Sequence, residues 1–237
     1  MGAFLYGLFL QWKLDIRSKT LLIPCYIVPL LFFLMMGGIF ASVMPQAQDS
    51  LVQSMTVFGV TMGSLIGLPP SLVEIYGGNI KRVYIANGIP MSLGVVLTNL
   101  SAFIHLFAMS VLLFFAAPLI FGAQMPGAPA AHFAGVAVLI AVSLGVASVI
   151  GLAIKDQAKT PVFSILVFLP SILLSGIMFP SELLPKALAA LGKMFPATWG
   201  YVLLKENAFR RETVFSLLVI LAVAVFLCAA LLRRGRE

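Results

Sequence analysis

The chain has 237 residues, of which 61% are hydrophobic and only 10% charged, and its formal net charge is +7. An average soluble domain carries roughly 25% charged residues, so a water-soluble fold of this composition would leave much apolar surface facing solvent and is excluded. The basic residues fall in short clusters between long apolar runs, which reads as membrane topology and not as a nucleic-acid-binding stripe.

Residues 1–20 place Lys13, Asp15, Arg17 and Lys19 after the first apolar stretch. A secretory signal has the reverse order, basic then apolar, so the whole chain is expected in the mature protein. Leu5, Leu8, Phe9, Trp12 and Ile16 recur at helical spacing beside Lys13 and Arg17. That pattern predicts a helix lying in the membrane interface, Trp12 at headgroup depth and the cations toward anionic lipid. A plain extension of the first span is the alternative.

About 20 apolar residues cross the roughly 30 Å hydrocarbon core. Six uncharged segments qualify, at 21–44, 51–73, 91–121, 133–154, 161–179 and 213–232. The expected fold class is all-α: a polytopic membrane protein with six transmembrane helices, forming one domain over 1–237. Cys25 and Cys228 lie inside these runs and read as small buried hydrophobes. On the second span Thr56, Gly59, Gly63 and Gly67 share one face, while Ser54 and Thr61 share another. The doubled small-xxx-small pattern predicts close helix approach, within one subunit or between two.

The connection at 74–90 reads EIYGGNIKRVYIANGIP. Ile80, Lys81, Arg82, Val83 and Tyr84 follow Glu74 at helical spacing, and Gly88 and Pro90 close the run. A short helix presented to a cytoplasmic partner is predicted, with a plain solvated loop as the alternative. On the third span Thr98, Ser101 and His105 fall on one face, with Asn99 beside them. With Thr61 they are candidates for a polar translocation path. His105 is the sole titratable side chain near the middle of a span, and intramembrane ionisable groups are functional candidates by default. The alternative is a neutral histidine hydrogen-bonded to a neighbouring helix.

After the fifth span the chain reads SGIMFPSELLPKALAALGKMFPATWGY over 175–201. Prolines that close and reopen helices describe a re-entrant or interfacial hairpin followed by a loop, together spanning 180–212. Leu183, Leu184, Leu188, Leu191 and Phe195 are expected to be partly buried there. A straight seventh span at 187–204 is the rival, but Lys193 and Pro196 near its middle speak against it, because a charge at mid-membrane costs at least about 2.5 kcal/mol.

Lys and Arg set the orientation. Lys13, Arg17 and Lys19 precede the first span; Lys81 and Arg82 lie in the second loop, Lys155 and Lys159 in the fourth, and Arg233, Arg234 and Arg236 in the tail. Both termini and the even loops are therefore expected in the cytoplasm, and the hairpin outside. There is no G-x-x-x-x-G-K-[ST] phosphate loop, H-E-x-x-H pair, Cys/His cluster or G-x-S-x-G turn. No catalytic residue, bound cofactor or metal is expected in this chain, and no nucleic-acid partner.

The segment from Gly176 onward, with Phe179, Pro180, Glu182, Pro185, Pro196, Trp199 and Tyr201 in order, resembles the ABC-2 type permeases, the membrane subunits of bacterial ABC exporters. The likeness extends over most of the chain: interfacial helix, six spans, long second loop and basic tail. It implies a permease in the bacterial cytoplasmic membrane that pairs with a second permease subunit, identical or homologous, and with two cytoplasmic ATPase subunits that bind ATP and Mg. By the same resemblance the N-terminal helix and the 74–90 loop dock the ATPase, with 80–86 as a coupling helix, and the hairpin at 180–201 caps the outer side of the pathway. The chain departs from the family in keeping only Glu74 as a charge ahead of Gly77 and Gly78. An ion-coupled carrier or channel working without an ATPase is the alternative function.

Overall fold

Runs of uncharged residues leave the backbone no partner in lipid but itself, and helices satisfy that demand locally. The computed structural model describes residues 2–78, 80–178 and 184–234. The predicted site residues Phe179, Pro180 and Glu182, and the tail residue Arg236, lie outside the described residues. In chain order the helices are α1 (Gly2–Arg17), α2 (Lys19–Leu22), α3 (Val28–Val43), α4 (Leu51–Met62), α5 (Leu68–Gly77), α6 (Ile80–Ala86), α7 (Ser92–Phe121), α8 (Pro129–Ala153), α9 (Thr160–Leu173), α10 (Lys186–Gly192), α11 (Pro196–Glu206) and α12 (Arg211–Arg234). Wide π-helical turns at Ile23–Ile27 and Gly63–Gly67 join α2 to α3 and α4 to α5, and among the described residues there is no strand.

Among the described residues five helical stretches are long and apolar enough to cross a membrane: Ile23–Val43, Gln48–Gly77, Ser92–Phe121, Pro129–Ala153 and Arg211–Arg234. They coincide with five of the predicted spans. The helix at the predicted fifth span, 161–179, is shorter than expected. It is α9, 14 residues long, about 21 Å at the helical rise. Beyond it Ser175 Oγ donates to the Ile172 carbonyl and accepts from the Ile177 amide, and Gly176 takes φ +87°. Glycine adopts that left-handed backbone without steric cost, so the chain turns here instead of completing the span as helix.

The second span is the axis of the bundle. It carries Thr, Ser and Gly where the others carry Leu and Phe, and 89% of its apolar window is buried. A Cβ on Gly63 would lie 2.4 Å from Leu106 and 3.0 Å from Cys25 Sγ, and one on Gly67 would lie 3.2 Å from Pro24. The glycine stripe is thus filled by the first and third spans of the same chain. The two π turns face each other across this contact. Pro69 and Pro70 withhold two amide protons from the turn before them, which the widened Gly63–Gly67 turn absorbs. Phe58 extends the contact, stacked on Phe32 at 4.0 Å between ring centroids and edge-on to Phe168 at 5.9 Å.

The connections sort to two ends. Gln48 donates to the Phe121 carbonyl and Asn207 donates to the Ala128 carbonyl, which gathers the first, third and fifth connections at one end. Lys81, Lys155 and Arg234 line one cavity at the other, which gathers the second loop, the fourth loop and the tail.

Between α10 and α11 the chain bends by 87°, so residues 187–204 are not one straight span. Leu184 and Phe195 are half-buried as expected and Leu183 lies outside the described residues, but Leu188 and Leu191 are exposed, because the buried helix is the next one. Ala197, Gly200, Tyr201, Leu203 and Leu204 of α11 pack into the bundle against α4, α8 and α12. A Cβ on Gly200 would lie 2.4 Å from Leu139, so glycine and alanine let α11 approach α8 where leucine would not.

Candidate functional site

The second loop folds as its sequence suggests. Helix α6 runs from Ile80 to Ala86, and Gly88 at φ +63° terminates it. The Ile89 amide bonds the Tyr84 carbonyl at 2.9 Å and the Gly88 amide bonds the Ile85 carbonyl at 3.2 Å, the paired closure of a Schellman motif. No residue of α6 is buried, and Ile80, Val83 and Ile85 are exposed. Glu74, Arg82, Gly88 and Pro90 are also exposed, while Lys81 and Tyr84 are half-buried. Three apolar side chains in solvent on a short helix are an unsatisfied surface.

The base of that loop is clamped by Tyr76, which sequence reasoning passed over. Its hydroxyl donates to the Met91 carbonyl and accepts from the Val95 amide at 3.0 Å. The end of the second span is thereby tied to the start of the third. Gly77 packs against the fourth loop, where a Cβ would lie 2.9 Å from the Lys155 carbonyl oxygen.

Helix α1 lies across α7, with Lys13 and Arg17 exposed and Trp12 half-buried. Its anchor is Asp15, which sequence reasoning counted only as a flanking charge. Asp15 is 4% exposed; it accepts from Ser101 Oγ at 2.5 Å and from Gln11 Nε2 at 2.9 Å. Burial pushes its carboxyl above the ordinary carboxylate range, and the two hydrogen bonds oppose that. Gly7, Gln11 and Asp15 form a small and polar stripe at i, i+4, i+8 on an otherwise apolar helix. That stripe was the available signal for the packed face.

His105 lies one turn beyond Ser101 on the same face. Trp12 stacks on its ring at 6.1 Å and Tyr26 meets it edge-on at 5.8 Å. Tyr26 Oη lies 3.0 Å from His105 Nδ1 and 3.1 Å from its carbonyl oxygen, so α1, the first span and the third span converge on one histidine. A cavity of about 300 Å³ lined by Trp12, Ile16, Tyr26 and Ile104 adjoins it.

The other candidates for a pathway are dispersed. Thr98 is buried and bonds back to the Gly94 carbonyl. Thr61 is fully buried in the second span, facing neighbours within the chain. Asn99 looks toward α8, its Nδ2 2.9 Å from Ser148 Oγ. In the hairpin, Pro185 precedes α10 and Pro196 opens α11, each where a missing amide proton costs nothing.

Among the described residues no cluster of three or more His, Cys, Asp or Glu is placed to hold a metal. Comparison with curated proteins returns no match. A model of the ABC-2 type transporter family matches residues 4–209, so this multi-pass membrane protein belongs to that family and is a membrane component of an ABC transporter.

Proposed function

We propose that this chain is the permease subunit of an ATP-driven exporter in the bacterial cytoplasmic membrane, with both termini in the cytoplasm. Two permease chains, identical or homologous, form the pathway, and two separate ATPase subunits supply ATP and Mg. The observation that carries the reading is α6: a capped helix with Ile80, Val83 and Ile85 in solvent, fixed at its base by Tyr76 to two spans at once. Such a helix seats in a groove on a partner and passes the partner's movement to the membrane helices. ATP binding that closes the ATPases would thereby bias the permease between inward- and outward-facing states, in proportion to its differential affinity for the two. Helix α1 follows the movement through Asp15 and Trp12, and the α10–α11 hairpin closes the opposite end of the path.

A tagged chain extracted in mild detergent should co-purify with a cytoplasmic ATPase in stoichiometric amount. The I80E/V83E double variant, which changes only exposed side chains, should lose it while keeping its elution profile. A well-folded wild-type chain that brings down no ATPase would sink this reading and favour an ion-coupled carrier centred on His105.

A further inference from the structure

Helices α7, α8 and α12 enclose an open groove of about 520 Å³, with walls formed by Val96, Leu100, Phe103, Leu144, Leu221 and Val225. The polar groups on the wall, Asn99 and Ser148, bond each other, so the groove offers a ligand almost nothing but hydrocarbon. From Leu221 to Leu232 it follows α12 for about 16 Å at the helical rise, the depth of one leaflet of a roughly 30 Å core. At Leu232 it meets a second cavity, of about 170 Å³, lined by Tyr76 and by Lys81, Lys155 and Arg234. Lys81 and Lys155 also line an adjoining space of about 360 Å³ with Arg82. These cations come from three separate segments of the chain. Among the described residues no carboxylate lines any of the three spaces, and none of the four cations is in an ion pair. The nearby Asp156 is paired with Lys159 at 3.6 Å.

An apolar slot one leaflet deep that opens into unpaired positive charge has the shape of a lipid with a negative head. We propose that the groove holds one anionic phospholipid, its acyl chain along α12 and its headgroup phosphate between Lys81, Lys155 and Arg234. Charge complementarity selects this occupant. A second copy of the chain, itself of net charge +7, would bring more cations than anions to the mouth, and a free phosphate would leave the groove unused. Because Lys81 belongs to α6, the headgroup ties that helix to the ends of α8 and α12. The site stands whether or not α6 docks an ATPase.

Native mass spectrometry of the purified full chain, supplied with phosphatidylglycerol or phosphatidylcholine, tests the assignment. Wild type should retain one phosphatidylglycerol. Phosphatidylglycerol on the K81Q/K155Q/R234Q variant should bind about a hundredfold more weakly, since each cation near an anionic lipid contributes about a factor of five. Phosphatidylcholine, whose choline cation offsets its phosphate, should be retained less than phosphatidylglycerol by wild type. V225W fills the groove from a position that is 57% exposed and should abolish retention while leaving the three cations in place. A phosphatidylglycerol with a photoreactive acyl chain gives a second readout on unaltered protein, and should label Val96, Leu100 or Phe103. Equal retention of both lipids overturns the proposal. So does displacement of the lipid by inorganic phosphate with V225W without effect, labelling outside α7, α8 and α12, or a folded wild type that retains no lipid.

Discussion

The second span and the last span look alike to a window that counts apolar residues, yet they occupy opposite places in the molecule. The last, Arg211–Arg234, has a mean hydropathy of 3.0 and is 11% buried; the second, Gln48–Gly77, has a mean hydropathy of 1.5 and is 89% buried. In water the ranking would be reversed. In lipid a leucine gains nothing by turning inward, so the helix richest in Leu, Val and Phe stays outside. The helix whose Gly, Ser and Thr permit close contact becomes the axis. Small and polar residues, not apolar ones, mark the protein-facing surfaces of this chain.

The strongest way to break that contrast is Gly63→Leu. The new side chain would start 2.4 Å from Leu106 and 3.3 Å from the Cys25 backbone, and so cannot be absorbed by rotating one flexible neighbour. Overpacking of this kind costs about 3 kcal/mol, or about 10 °C in melting temperature for a chain of this size. Thermal unfolding in detergent measures it, and a melt unchanged from wild type would mean that the first span does not sit against Gly63. Next is Tyr76→Phe at the end of the same span. It removes the hydroxyl shared by Met91 and Val95, with an expected loss of about 1 kcal/mol and faster proteolysis within 78–90.

A smaller and pH-dependent effect is expected at Asp15, the polar anchor of α1 on Ser101. Its folded-state pKa is raised by burial from the ordinary 3.8. Docking of α1 is therefore firmest when the group is protonated in both states. It weakens as pH rises from about 3.8 toward the raised value, and is constant above it. Trp12 fluorescence against pH, recorded with Trp199→Phe so that one indole remains, should follow that course. Asp15→Asn should flatten the profile, and superimposable profiles would mean that the carboxyl does not report docking.

Much of this architecture was legible in the sequence, because lipid forces uncharged runs into helices. The stretch 80–86 was legible because Gly88 announces its end. The face that each element presents was harder to read. At 187–204, Lys193 and Pro196 spoke against a straight span, and the chain does bend there by 87°, but the face that packs is governed by Ala197 and Gly200, which those residues did not announce. In α1, the apolar residues at helical spacing drew the reading, and the contact with α7 runs through Gly7 and Asp15 as well as through Trp12. The rule of water-soluble proteins, apolar inward, gives no direction in lipid. Reading small and polar spacing first would have found Asp15 and the α11–α8 contact.

The smallest expected effect is the most informative about what surrounds the molecule. Phe226 on α12 is 71% exposed. Truncating a buried phenylalanine to alanine costs about 3–5 kcal/mol, because a cavity remains. On a lipid-facing surface acyl chains fill the gap, and Phe226→Ala should change stability by no more than about 0.5 kcal/mol. The measurement is a melt of the chain in lipid nanodiscs, where the native oligomer is kept. A loss of several degrees would mean that protein, not lipid, covers this face of α12. The contrast between the two spans would then describe one subunit and not the assembly, and the last span would be the place to look for a second permease chain.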